Sequence, residues 1–134
     1  MSDVGGESMK AAIYRRYGSP EVVHLEDVAK PIPKDDEILI RIHATTVCAT
    51  DSHVRKGATL IFRLFLGVFK PRKPIVAGLE FSGRVVEVGK NVSRFRVGDL
   101  VFGWPGKGKG THAEYVCTPA LGAVDLVPAN MNLD

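Results

Sequence analysis

From Glu37 to Val47 the side chains alternate, with Ile38, Ile40, Ile42 and Ala44 on one face and Leu39, Arg41 and His43 on the other. A period of two over this length dictates a half-buried antiparallel strand. Such a strand needs partners, and the flanking segments have the character to supply them. Lys10–Arg16 and Glu21–Val28 read as a hairpin across the Gly18-Ser19-Pro20 turn. Pro31 and Pro33 lack an N–H to donate and keep the next stretch out of a sheet. Further strands are expected over Ile75–Gly89, read as one strand ending in a turn, at Asp99–Gly103, at His112–Cys117 and at Val124–Val127. Many short strands with Gly/Pro turns and little helix predict a mainly β fold, a barrel or a sandwich.

The alternating strand delivers Val47-Cys48-Ala49-Thr50-Asp51-Ser52-His53, which gathers a thiol, a hydroxyl, a carboxylate and an imidazole within seven positions. Asp51–Lys56 is expected to form a short helical turn, with Thr50 or Asp51 as N-cap and Gly57 as the stop. Ala58–Lys70 is ambiguous. Its apolar residues recur at helical spacing but run most of the way round, so the segment needs something to pack on. It is interrupted by Arg63 and too short to span a bilayer, so no membrane partner is expected.

Composition narrows the classes. The chain has 134 residues, enough for one domain with a real core, and its 18 Lys and Arg against 15 Asp and Glu leave a mild net charge of +3. No dense basic face marks a nucleic-acid partner. Two cysteines, Cys48 and Cys117, do not make a disulfide framework, and without a secretory signal the expected setting is a reducing cytoplasm. Residues 1–8 are polar and glycine-bearing and read as a disordered leader or a cloning remnant.

Several stretches carry a family likeness: Met9–Ile13, Gly78-Leu79-Glu80-Phe81-Ser82-Gly83 followed by Val86–Gly89, Phe95–Gly103, and His112–Val116. In that order they resemble the N-terminal domain of the medium-chain dehydrogenase/reductase superfamily, which includes zinc alcohol dehydrogenases and zinc-free quinone oxidoreductases. The likeness runs from Met9 to Asp134. It implies a GroES-like, partly open β-barrel with short helices that forms the substrate side of a cleft, in an enzyme that is a homo-oligomer. It also implies a separate Rossmann domain for NAD(P)H. The Gly-x-Gly-x-x-Gly fingerprint of that domain is not met, because Gly106-Lys107-Gly108-Lys109-Gly110-Thr111 breaks the spacing and precedes a strand. The nucleotide-binding domain is therefore expected to be missing from these residues, and the chain reads as a truncated protein or split gene product, expected to be inactive alone.

The same likeness assigns roles. Thr50 and His53 match a hydroxyl and an imidazole that relay protons, and their plainer reading is a helix cap and a surface histidine. Cys48, Ala49 and Thr50 would face the nicotinamide end of the cofactor, although Ala49 offers no charge where some members place a basic residue. Zinc members bind metal through a Cys at the place of Cys48 and a His at the place of Leu79. Leucine has no lone pair, so no catalytic zinc is expected. The substrate would be a carbonyl, an alcohol or a quinone. Two alternatives stay open: a fragment of a zinc-dependent alcohol dehydrogenase that uses Cys48 and Glu80, and a non-catalytic GroES-like association module. His24, His43 and His112 read as residues of strand faces. For Trp104 and Leu60–Phe69, packing is favoured over a pocket wall.

Overall fold

The computed structural model describes residues 6–134. Of the predicted leader, residues 1–5 lie outside the described residues. Ser8 opens strand β1 (Ser8–Tyr14) and pairs with Ala29 of β2 (His24–Ala29). The predicted hairpin is present, but its second strand starts later than expected. Pro20–Val22 forms a single 3₁₀ turn closed by the Val23 N–H on the Pro20 carbonyl, because proline presets the backbone for it. The stretch expected as one strand over Ile75–Gly89 is broken at Ala77–Glu80, and its first part, the two-residue strand β4 (Ile75–Val76), pairs with β1 to complete this three-stranded antiparallel sheet in the order β2-β1-β4.

The alternating stretch is β3 (Glu37–Thr45), the second strand of a curled five-stranded sheet. Its neighbours are β7 (Tyr115–Pro119) and β5 (Phe81–Val88), and β6 (Leu100–Gly103) and β8 (Val124–Leu126) continue the sheet on the β5 side. All pairings are antiparallel. The β3–β5 register shifts between Leu39 and Ile40 and again between Ile42 and Ala44. Irregularities of that kind bend a strand and help a sheet curl toward a barrel. Ile38, Ile40, Val85 and Val101 are fully buried on the inner face and pack with Phe81, Phe95, Val116 and Val124. Leu39, expected on the half-polar face, is buried too, beside its buried register partner Cys117, so both faces are covered early in β3.

Residues 112–114 join the two sheets. The Ala12 N–H donates to the His112 carbonyl and the Glu114 N–H to the Lys10 carbonyl, while the Ile42 N–H donates to the Glu114 carbonyl. The expected strand at His112–Cys117 is thus a three-residue stitch followed by β7. A second tie is ionic: Lys109 Nζ donates to Glu37 Oε1 at 2.6 Å, fixing the 104–110 loop to the start of β3.

After β3 come α1 (Ala49–Lys56) and α2 (Leu60–Leu66). The N-cap of α1 is Cys48, ahead of the expected Thr50 or Asp51. Asp51 sits at the third helical position, and its Oδ2 accepts the Cys48 N–H at 2.8 Å, half of a capping box. Gly57 ends the helix in the left-handed region at φ 61°, as expected. No helix among the described residues is long and apolar enough to cross a membrane.

Candidate functional site

An open cleft of about 570 Å³ lies at the far end of β3, where the strand runs out toward α1. Thr45, Thr46 and Glu80 form its polar side, Phe102 and Trp104 an apolar side, and Leu133 and Asp134 cross its end. Trp104, read as packing, instead stands on this wall with 42% of its surface exposed.

The polar side is a hydrogen-bonded unit. The Thr45 hydroxyl donates to the Glu80 carbonyl at 2.8 Å, which leaves its oxygen to accept from the Thr111 hydroxyl at 2.9 Å. Thr46 Oγ1 donates to Glu80 Oε2 at 2.9 Å. His112 Nε2 lies 2.9 Å from the Thr46 carbonyl, and because a carbonyl only accepts, this nitrogen carries the proton. His112 therefore does more than occupy a strand face: it anchors the cleft. His43 Nε2 meets Asp134 Oδ1 at 3.0 Å at the cleft's end. Packing behind this unit needs a glycine at 78. Gly78 has φ +92°, and a Cβ there would stand 2.4 Å from both Thr111 Oγ1 and the His112 ring.

The predicted site residues lie beside this cleft and do not line it. Cys48 is half-buried at the head of α1; Ala49 and Thr50 are exposed on its first turn, and His53 is exposed one turn on. Ala49 follows Thr46 by three positions, a reach of at most about 11 Å. Thr50 and His53 are three positions apart and share one side of the helix. His53 Nδ1 lies 2.8 Å from the Ala49 carbonyl, so Nδ1 carries a hydrogen, and in the neutral ring the lone pair sits on Nε2. Among the described residues, Thr50 Oγ1 has no hydrogen-bond partner. Nearby, burial pushes the Tyr14 phenol up to about 12, with Tyr17 adding to the effect and Arg55 opposing it.

Sequence reading missed Thr45, Thr46 and Thr111. The Thr45-Thr46 pair just before the crowded turn was the available signal, but the partner of Thr45 is 66 residues away.

Two groups implied by the likeness can be weighed against these side chains. Among the described residues no three His, Cys, Asp or Glu side chains converge as a metal set. Leu79 presents half-buried hydrocarbon, and the Glu80 carboxylate is engaged with Thr46. Asp51 occupies the positive end of α1, so that helix start does not offer a seat for the cofactor's phosphates. The exposed Ala49 and Thr50 surface does suit contact with an uncharged ring.

A curled antiparallel half-barrel with an open polar-and-aromatic cleft beside a short helix defines a GroES-like barrel domain. The chain belongs to the alcohol dehydrogenase GroES-like domain family, whose model matches residues 34–129. It is 40% identical to a quinone oxidoreductase of Sus scrofa over 92% of this chain and 34% of that protein. It is 38% identical to an NAD-dependent alcohol dehydrogenase of Sulfurisphaera tokodaii over 76% of this chain and 28% of that protein. The solved quinone oxidoreductase of Coxiella burnetii superposes with a TM-score of 0.83 at 27% identity, covering 95% of this chain and 39% of that one. The chain spans about a third of the length of the curated relatives it matches.

Proposed function

We propose that this chain forms the substrate side of the catalytic cleft in an NAD(P)-dependent, zinc-independent oxidoreductase, with the nucleotide-binding domain supplied from outside these 134 residues. The names of its relatives support the reaction class. The bound nicotinamide supplies or accepts hydride. The chain's own residues do the rest. Phe102 and Trp104 offer an apolar wall to a carbonyl, alcohol or quinone substrate, and the Thr46–Glu80 pair offers a polar edge. Thr50 presents a hydroxyl that both accepts and donates. His53, held as the Nδ1–H tautomer by Ala49, keeps Nε2 free to take a proton toward solvent. That fixed tautomer, one helical turn from an unpartnered hydroxyl, is the observation that carries the reading. Zinc independence rests on Leu79, which gives no lone pair where zinc-binding relatives need one. Two free cysteines suit a reducing cytoplasm.

NADPH oxidation against a panel of quinones and aldehydes, and NADP+ reduction against a panel of alcohols, test this. The 134-residue chain is expected to be inactive and a gene product extended past Asp134 to be active. In the extended protein, Thr50→Val should lower kcat by about a hundredfold. Turnover by the chain alone, or no loss in Thr50→Val, would overturn the proposal.

A further inference from the structure

The α2 face takes no part in the cleft, yet it exposes a run of large apolar side chains. Leu60, Ile61, Leu64 and Phe65 are 66%, 61%, 56% and 74% exposed, and Phe69 just beyond the helix is 94% exposed. The face is tied to the body of the domain by two hydrogen bonds. Arg63 turns inward, its Nε donating to the Gly57 carbonyl at 2.7 Å, and the Tyr17 hydroxyl donates to the Gly67 carbonyl at 2.7 Å.

The charge around this face has one sign. Between Ser52 and Leu79 the sequence has Arg55, Lys56, Arg63, Lys70, Arg72 and Lys73, and no Asp or Glu. The Arg72 N–H donates to the Leu66 carbonyl at 2.8 Å, folding the Lys70–Lys73 turn back onto the end of α2. From the other side, Lys107 Nζ sits 5.6 Å from the centre of the Phe65 ring. Lys70, Arg72, Lys73 and Lys107 are all exposed. Exposed phenylalanines and leucines inside a cationic rim are the pattern of a surface that lies in a lipid interface. A second copy of the chain would bring the same positive rim against this one.

We propose that the α2 face docks peripherally on a bilayer bearing anionic headgroups. Phe65 and Phe69 enter the interface, and Lys70, Arg72, Lys73 and Lys107 meet the headgroups. This departs from the expectation of no membrane partner, which rested only on the short, Arg63-interrupted segment being unable to span, because docking on a surface needs no span. It is independent of the redox reading.

The test is cosedimentation of the 134-residue chain with vesicles of phosphatidylcholine alone and with one third phosphatidylserine. Binding to the serine-containing vesicles is expected to be at least tenfold tighter and to fall with added salt. Each cation removed should weaken it about fivefold. The charge-reversed pair Lys70→Glu with Arg72→Glu and the apolar pair Phe65→Ser with Phe69→Ser should each lose binding. Both pairs are exposed, so their circular dichroism and melting should stay unchanged. Absence of binding to either vesicle, or equal binding to both, would overturn the proposal. So would a concentration-dependent dimer that Phe65→Ser with Phe69→Ser dissolves while vesicles are ignored, since a second copy would then be the occupant.

Discussion

Replacing Lys109 with methionine tests how the cleft loop is held. The Glu37 side chain is 9% exposed and that of Lys109 32%, so their 2.6 Å contact is largely out of water. Burial alone would raise the Glu37 pKa. The Lys109 ammonium on Oε1 and the Lys34 N–H on Oε2 outweigh it and hold the carboxyl below its ordinary value of 4.5. Removing the ammonium leaves a buried carboxylate with one backbone donor. A buried charge stripped of its partner costs 3–5 kcal/mol when fully enclosed, and a buried polar group left short of a bond about 1–3 kcal/mol. With Lys34 still bonded and water near the Lys109 end, the expected loss at neutral pH is about 2 kcal/mol. The sign with pH follows from the depressed pKa. In the native protein the contribution of Glu37 is present above 4.5 and is lost as pH falls through its lower folded value. In Lys109→Met burial acts without the ammonium opposing it, so the carboxyl rises and protonation relieves the defect. Urea unfolding at neutral and acid pH should therefore show a gap between the two proteins that narrows on acidification. A neutral-pH loss under about 0.5 kcal/mol, the range of an exposed pair, or a gap independent of pH would refute the reasoning.

Gly78→Ala should destabilise by about 3 kcal/mol, because it combines a positive φ with a Cβ 2.4 Å from Thr111 Oγ1 and the His112 ring; chemical denaturation reads it. The two thiols should react at different rates. Burial pushes the Cys117 thiol up to about 11, with Glu37 adding to it, so a disulfide reagent at neutral pH should titrate Cys48 promptly and reach Cys117 only on unfolding.

The strand pattern was legible wherever one face is wet. Ile38, Ile40 and Ile42 announced β3, and Gly57 marked the end of α1, because period and backbone freedom are local properties. Three features were not legible, each for a non-local reason. Leu39 is buried because a sheet neighbour contributes Cys117 beside it. Residues 112–114 stitch two sheets together, which no local preference encodes. The cleft's polar wall joins Thr45 and Thr46 to Glu80, Thr111 and His112 across two long loops. The capping error is local. Thr50 and Asp51 are both strong cap formers, but Asp51 acts from the third helical position and leaves the cap to Cys48.

Turnover and metal content measured on one sample test the central claim most directly. The gene product extended past Asp134 would be dialysed against a strong chelator, its zinc determined by elemental analysis, and its NADPH-dependent reduction of a quinone followed. Full activity with far less than one zinc per chain is the expected result. Activity that falls with the metal and returns on adding zinc would contradict the account.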